Sequence, residues 1–421
     1  MSALIVPRAI ALNAKCIETK TFRVTTMTAK NTLICTVGTS LLYPNLNSLP
    51  TADAYADWLS KHPRDDQPQL TPERVLALTA AVRAKDAPAI AKLLAQLPGS
   101  TRLCGAEINS IVDLIARDYC GPRSTLCFCY SDTADGQYVA EIMQHYAALQ
   151  GYPAELHKIN DLQDQDPKRF RTKGLRNLAK SVCRIIRERG AAYCAINATG
   201  GYKAQIAIAV LMGQALAVPV YYKHERFSEI IAFPPMPISL DHQLWMQWSG
   251  IFAALNRDEL LLKADLDLED WDERLETLVE QVEIDGATWL ELSPTGQIFH
   301  ETFDGRFASD RDQFLPPAVA AARKTRPTLT DHGWGNARTP VTALMQRLLD
   351  ECPYVQSCRT HYWNPNLSRA TLFRCKGDDI EGVFSNGSWT VKITVETSAT
   401  TVGQREACVA DLNARIDGWK P

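Results

Sequence analysis

No stretch of the sequence reaches the roughly 18 apolar residues that a membrane-spanning helix needs, so no membrane partner is expected. There is no Cys-x-x-Cys pair and no zinc-finger spacing, although the chain has twelve cysteines. Cys35, Cys127, Cys129 and Cys194 sit in apolar, strand-like runs, where a free thiol behaves as a small hydrophobe. The pattern predicts structural thiols in a reducing cytoplasm and no metal site. A strong excess of one charge is missing as well. The net charge is −3 over 421 residues, so any nucleic-acid contact must come from a local patch. Internal repeats and low-complexity tracts are absent.

What is present is an alternation of short apolar runs with helical periodicity. Strands are predicted at 32–37, 124–130, 153–158, 193–197 and 218–223. Helices are predicted at 52–62, 72–97, 105–118, 134–149, 172–189 and 202–216. Strands alternating with helices imply a parallel, doubly wound α/β sheet. The first 26 residues carry Arg8, Lys15, Lys20 and Arg23 against Glu18 alone. They have no apolar stretch and no small-residue cleavage site, so 1–27 reads as an N-terminal extension.

Composition shifts after Pro234, Pro235 and Pro237. From 241 to 300 there are fourteen acidic and three basic residues. This segment, bounded at 241–305, reads as helical to 283, followed by two short strands around Pro294-Thr-Gly296. That order suggests a winged-helix-like module. Its acidity repels phosphate, so it is expected to be a dimerising or relay linker. From 323 onward the sign reverses, with thirteen basic and ten acidic residues. A helix at 340–351, strands near 356–362, 369–376, 380–385 and 389–396, and a helix at 402–416 make 306–421 a compact α+β unit.

Three polar loops follow predicted strands. Ligands of open α/β sheets bind at the carboxyl ends of strands, and backbone N–H groups there cradle anions. The first loop is Gly38-Thr39-Ser40. The second begins with Ser131 and Asp132, one of which is expected to cap the next helix. The third, Asn197-Ala-Thr199-Gly200-Gly201-Tyr-Lys203, is the most specific. Its glycines let the chain pass under a bulky ligand, and Lys203 offers charge to a phosphodiester.

Together, Val37-Gly-Thr-Ser-Leu41, Cys104-Gly-Ala-Glu-Ile-Asn-Ser110 and Asn197-Ala-Thr-Gly-Gly-Tyr-Lys203 resemble the CARF domains of type III CRISPR effectors, over roughly 28–240. The resemblance implies a Rossmann-like sensor and a homodimer with cyclic oligoadenylate, cyclic tetra-adenylate first, across its two-fold axis. It implies no other cofactor. Gly38, Thr39, Ser40, Thr199, Gly200, Gly201 and Lys203 match the family's two signature loops.

The output unit is read on its own residues. Arg326…His332 has only the spacing of a HEPN ribonuclease motif. Asp379 and Glu396 echo a metal nuclease but lack its lysine. The element order of 340–416 is similar to that of RelE-like mRNA interferases, which cut mRNA on the ribosome with basic side chains and no metal. The candidates are Arg359, His361, Arg369, Arg374, Lys376, Lys392 and Arg405, with His361 or Tyr362 for proton transfer, His having the nearer pKa. Alternate residues of a strand share a face, so Arg374 and Lys376 point together. A ligand-gated transcription regulator is the non-enzymatic alternative.

Overall fold

The computed structural model describes residues 30–419, apart from 225–228, 238, 259, 267–271 and 331–332. The expected extension 1–27 and His332 therefore lie outside the described residues. A six-stranded sheet forms the first half. Its strands are β1 Thr32–Thr36, β2 Thr125–Ser131, β3 Ala154–Ile159, β4 Cys194–Asn197, β5 Val220–Lys223 and β6 Ile230–Phe233. The order is β3-β2-β1-β4-β5-β6. The first five strands are parallel, and β6, which the sequence reading did not anticipate, closes the edge antiparallel to β5.

Side chains two apart on a strand share a face, and the two faces bury two different cores. Leu33, Cys35, Leu126 and Phe128 pack under α2 Pro72–Arg83, α3 Ala87–Leu94, α4 Gly105–Ala116 and α5 Ala134–Leu149. A shorter helix, α1 Tyr55–Ser60, precedes these. Ile34, Cys127 and Cys129 point to the other face, under α7 Leu175–Arg189 and α8 Lys203–Ala215. The helical turn α6 Pro167–Arg169 lies ahead of α7. All eleven described cysteines are free thiols, and ten are buried. The single helix expected over 72–97 is two. Lys85 turns to positive φ, Asp86 caps α3 by accepting from Ala89 N–H, and Pro88 sits in the new first turn.

The middle segment differs most from expectation. Helix α9 ends at Asp258, having begun at His242. After it, β7 Leu261–Leu262, β8 Val279–Ile284 and β9 Ala287–Leu292 form a small antiparallel sheet. Asp285-Gly286, both at positive φ, make the tight turn that a two-residue hairpin requires. Pro294-Thr-Gly296 is not a turn between strands. Ser293 accepts from Gly296 N–H and Pro294 occupies the first turn of α10 Pro294–Phe314. Helix α10 therefore runs through position 305, where the sequence suggested a boundary. Among the described residues, no helix is long and apolar enough to cross a membrane.

The acidic side chains of this segment meet the basic helix α7 and the turn before it. Arg171 pairs with Glu280 at 3.1 Å and Arg187 with Glu301 at 2.8 Å. Arg176 lies 3.5 Å from Glu291, both almost wholly buried. Burial pushes the Glu291 carboxyl up and Arg176 pulls it back. The Trp245, Phe252, Phe299 and Phe303 rings form the middle core, which continues into Leu372, Ala407 and Ala410 of the last unit.

That last unit is a four-stranded antiparallel sheet, order β10-β13-β12-β11, built from β10 Val355–Asn364, β11 Leu372–Lys376, β12 Asp379–Ser385 and β13 Thr390–Thr397. Helix α11 Arg338–Glu351 precedes it and α12 Val402–Arg415 follows. Phe373, Ile380, Phe384, Val391, Ile393 and Val395 fill its core. Arg326 sits in an extended segment beside β10, where Thr325 and Thr328 donate N–H groups to Gln356 and Cys358. That is not the helical setting a HEPN motif needs.

Removing one partner of a buried pair leaves the other charge stranded, at a cost of about 3 kcal/mol. Arg176→Met is therefore expected to lower stability by about that much in denaturant titrations. The double change Arg176→Met/Glu291→Leu should recover most of the loss. Equal losses in the single and double variants would contradict a stranded charge.

Candidate functional site

The carboxyl ends of β1, β2, β4 and β5 open on one cleft of about 780 Å³. Gly38, Thr39, Ser40, Ser131, Thr199, Gly200 and Gly201 line it, so three separate strand-end loops converge as the sequence suggested. The glycines are needed for contact between loops. A Cβ on Gly38 would lie 2.4 Å from Gly201 N, and one on Gly200 would lie 2.6 Å from Thr36 O. Gly201 has φ +97°, a conformation that L side chains rarely adopt.

The other anticipated residues have different places. Asn197 is buried beneath the cleft. It donates to Ser110 Oγ at 2.8 Å and accepts from the Thr199 hydroxyl at 2.7 Å, so it holds Thr199 in place. Asp132 turns away to Lys158 at 2.7 Å, and that hydrogen bond holds its carboxyl below the usual range. The cap of α5 is Thr133, not Ser131 or Asp132. Thr133 accepts from Gly136 N–H, and Ser131 shares a hydroxyl contact with it. Lys203 is exposed at the start of α8 and does not line the cleft. The lysine that does is Lys223, at the end of β5, with Nζ 3.0 Å from Asp113.

Several lining residues were not singled out from the sequence. Glu107, on α4, is buried and holds the first loop: the Ser40 hydroxyl donates to it, as does Ser40 N–H at 3.3 Å. Burial pushes its carboxyl up, and the bonds from Ser40 oppose that shift. Tyr43, Tyr202 and Tyr222 border the opening. Rings, hydroxyls and the Lys223 ammonium together suit a ligand with bases and phosphodiesters. Tyr222-Lys223 could have been found by the strand-end rule applied to the 218–223 run.

A second cluster lies on the face of the four-stranded sheet away from its core. The registers Arg374↔Glu381, Glu381↔Thr394 and Thr394↔Arg359 set one row across all four strands. Glu381, which the sequence reading gave no role, is its centre. It is buried, and Arg374 donates to Oε1 at 2.6 Å. His361 Nε2 lies 3.0 Å and Lys376 Nζ 3.6 Å from Oε2. His361 Nδ1 is 3.1 Å from Thr394 Oγ1, and Lys392 lies over the Tyr362 ring. Arg359 is exposed on the same face as His361. Arg369 is not part of this group: it pairs with Asp265 of the middle segment at 2.6 Å. Arg374 also reaches that segment, donating to Leu266 O at 2.7 Å. Glu396 accepts from Ser357 at 2.7 Å. Among the described residues, Asp379 and Glu396 belong to no cluster of metal-ligating groups.

Burial would raise the Glu381 carboxyl, but Arg374, with Lys392 and Lys376 beyond it, outweighs this and holds it below the usual range. A depressed carboxylate stabilises the fold above its unfolded pKa of about 4.3, and that stability is lost as pH falls through the folded value. Glu381→Gln should thus be less stable than the parent at pH 7 and approach it in acid. Denaturant midpoints measured across pH would show a constant gap if Glu381 did not titrate this way.

Residues 102–236, from the turn before α4 through β6, match the family model described as CRISPR-associated protein (Cas_APE2256). The match covers less than half of the chain. It includes the loops after β2, β4 and β5 but not the Gly38 loop, and it supports a CRISPR-associated protein. No curated protein matches the chain.

Proposed function

We propose that the chain is a CARF-type sensor joined to a RelE-like ribonuclease, and that a cyclic oligoadenylate in the strand-end cleft switches on RNA cleavage in CRISPR defence. The observation that carries this reading is the cleft itself, in which the loops of four strands present tyrosine rings, hydroxyls and Lys223 to one space. The parallel order β3-β2-β1-β4-β5 supports a Rossmann-like sensor. The similarity of 102–236 to a CRISPR-associated family supports the biological setting. The proposed activator is cyclic tetra-adenylate, shared between the clefts of two copies.

The proposed chemistry needs no metal. The RNA 2′-hydroxyl attacks the adjacent phosphorus, and the P–O5′ bond breaks as the new O2′–P bond forms. With His361 Nε2 donating to Glu381, Nδ1 takes the 2′ proton in place of its contact with Thr394, and the leaving 5′ oxygen takes a proton from water. Arg374, Lys376, Lys392 and Arg359 stabilise the charge that builds on the phosphorane. The substrate would be mRNA held on the ribosome. A gene-regulator reading is less favoured because α9 and α10 are packed against neighbouring elements, α9 on β11 and α12, α10 on α7.

Two variants separate sensing from cutting. Lys223→Ala is expected to weaken cyclic tetra-adenylate binding in calorimetry by about tenfold or more, while cutting at saturating ligand persists. Arg374→Ala should bind normally and cut translating mRNA about 100-fold more slowly, in EDTA as well. If the parent chain binds neither cyclic tetra- nor hexa-adenylate, the sensor reading fails. If Arg374→Ala cuts at the parent rate, the cleavage site is elsewhere.

A further inference from the structure

Away from both sites, Cys127 of β2 and Glu155 and His157 of β3 converge on the sheet face covered by α7. Their ligand atoms all lie within 4.8 Å of one another. The register Cys127↔Glu155 sets the first two side by side, and His157, two residues on, shares their face. Cys127 Sγ is 3.7 Å and His157 Nε2 is 3.4 Å from the same oxygen, Glu155 Oε2. For zinc bonded to sulfur at 2.3 Å and to nitrogen and oxygen at about 2.1 Å, tetrahedral angles put sulfur and oxygen about 3.6 Å apart and nitrogen and oxygen about 3.4 Å apart. The protein holds both the sulfur–oxygen and the nitrogen–oxygen pair close to those separations, with the third pair within 4.8 Å.

Two further observations favour a cation here. His157 Nε2 is buried, and its contact with Glu155 Oε2 at 3.4 Å does not meet hydrogen-bond geometry, so the nitrogen points at that oxygen without a well-formed bond. The other oxygen of Glu155, Oε1, accepts from Arg189 at the end of α7. A guanidinium on the non-ligating oxygen is the kind of outer contact that fixes a ligating carboxylate. Glu155 is 41% exposed, which gives an ion a path in.

We propose that Cys127, Glu155 and His157 form a zinc site with a fourth position open to water. Thiolate, carboxylate and imidazole together suit zinc better than calcium or magnesium. Binding replaces the Cys127 S–H bond with a Zn–S bond and releases the proton to solvent. Thiolate and carboxylate then neutralise the divalent charge. The surrounding charges are mixed, with Arg184 and Arg189 opposing a cation and Glu188 favouring one. Because β3 is the edge strand, the ion would clip the sheet edge to β2 and, through Arg189, to α7. Sequence spacing does not reveal the site, since its ligands come from two strands and sit 28 residues apart in sequence for Cys127 and Glu155.

The test is elemental analysis of the full chain purified without chelator, followed by cobalt reconstitution after dialysis against chelator. The parent should carry close to one zinc per chain, and His157→Gln and Cys127→Ser less than about a tenth of that. Cobalt should give a thiolate charge-transfer band in the near ultraviolet that Cys127→Ser abolishes. Zinc at the same level in the parent and in His157→Gln overturns the proposal, as does a cobalt spectrum without the thiolate band. If Cys127→Ser does not fold, Glu155→Gln at its partly exposed position gives the same decision from zinc content.

Discussion

The contact on which the architecture depends is the charged seam between α7 and the acidic middle segment. A helix bearing arginines on one side and a segment with a large acidic excess would each be a liability alone. Together they neutralise one another through Arg171–Glu280, Arg176–Glu291 and Arg187–Glu301. The pair Arg176–Glu291 is buried, so its geometry is strict and its loss is costly. Part of the acidity of the middle segment is thus neutralised inside the molecule, while Glu273, Glu276, Glu283 and Asp285 stay exposed.

This seam also connects the two candidate sites. Helix α7 covers one face of the sheet whose strand ends form the cleft. On the far side, the middle segment grips the four-stranded sheet. Leu266 O and Asp265 hold Arg374 and Arg369, and Arg257 donates to Thr371 O. Arg374 divides its donors between Leu266 O and the buried Glu381 carboxylate. A shift of the middle segment would alter that division, and with it the charge presented on the sheet face. Coupling of this kind requires that the ligand favour one of two arrangements.

Much of the fold was legible because buried parallel strands read as short apolar runs and their positions follow directly. The converging loops at Gly38, Ser131 and Thr199 followed from strand ends alone. Lys223 was missed because the strand-end rule was not applied to the 218–223 run; the sheet order, which sets β5 beside β4, then places Lys223 N–H on the Thr199 hydroxyl. Lys203, adjacent to the motif in sequence, faces solvent instead. Glu381 was missed because its role comes from register. The hairpin turn at Gly377-Asp378 puts it opposite Arg374, whereas along the sequence it reads as one of several acidic residues. The middle segment was misread where turn chemistry competes. Pro-Thr-Gly signals a bend, but after a Ser cap it starts a helix.

The central claim is that occupancy of the cleft reaches the sheet face through the middle segment. Hydrogen–deuterium exchange of the full chain with and without saturating cyclic tetra-adenylate tests it most directly. The account predicts slower exchange in 38–40 and 199–202 together with a change at 261–266 and 372–376. Protection confined to the cleft loops, with 261–266 and 372–376 unchanged, would contradict it.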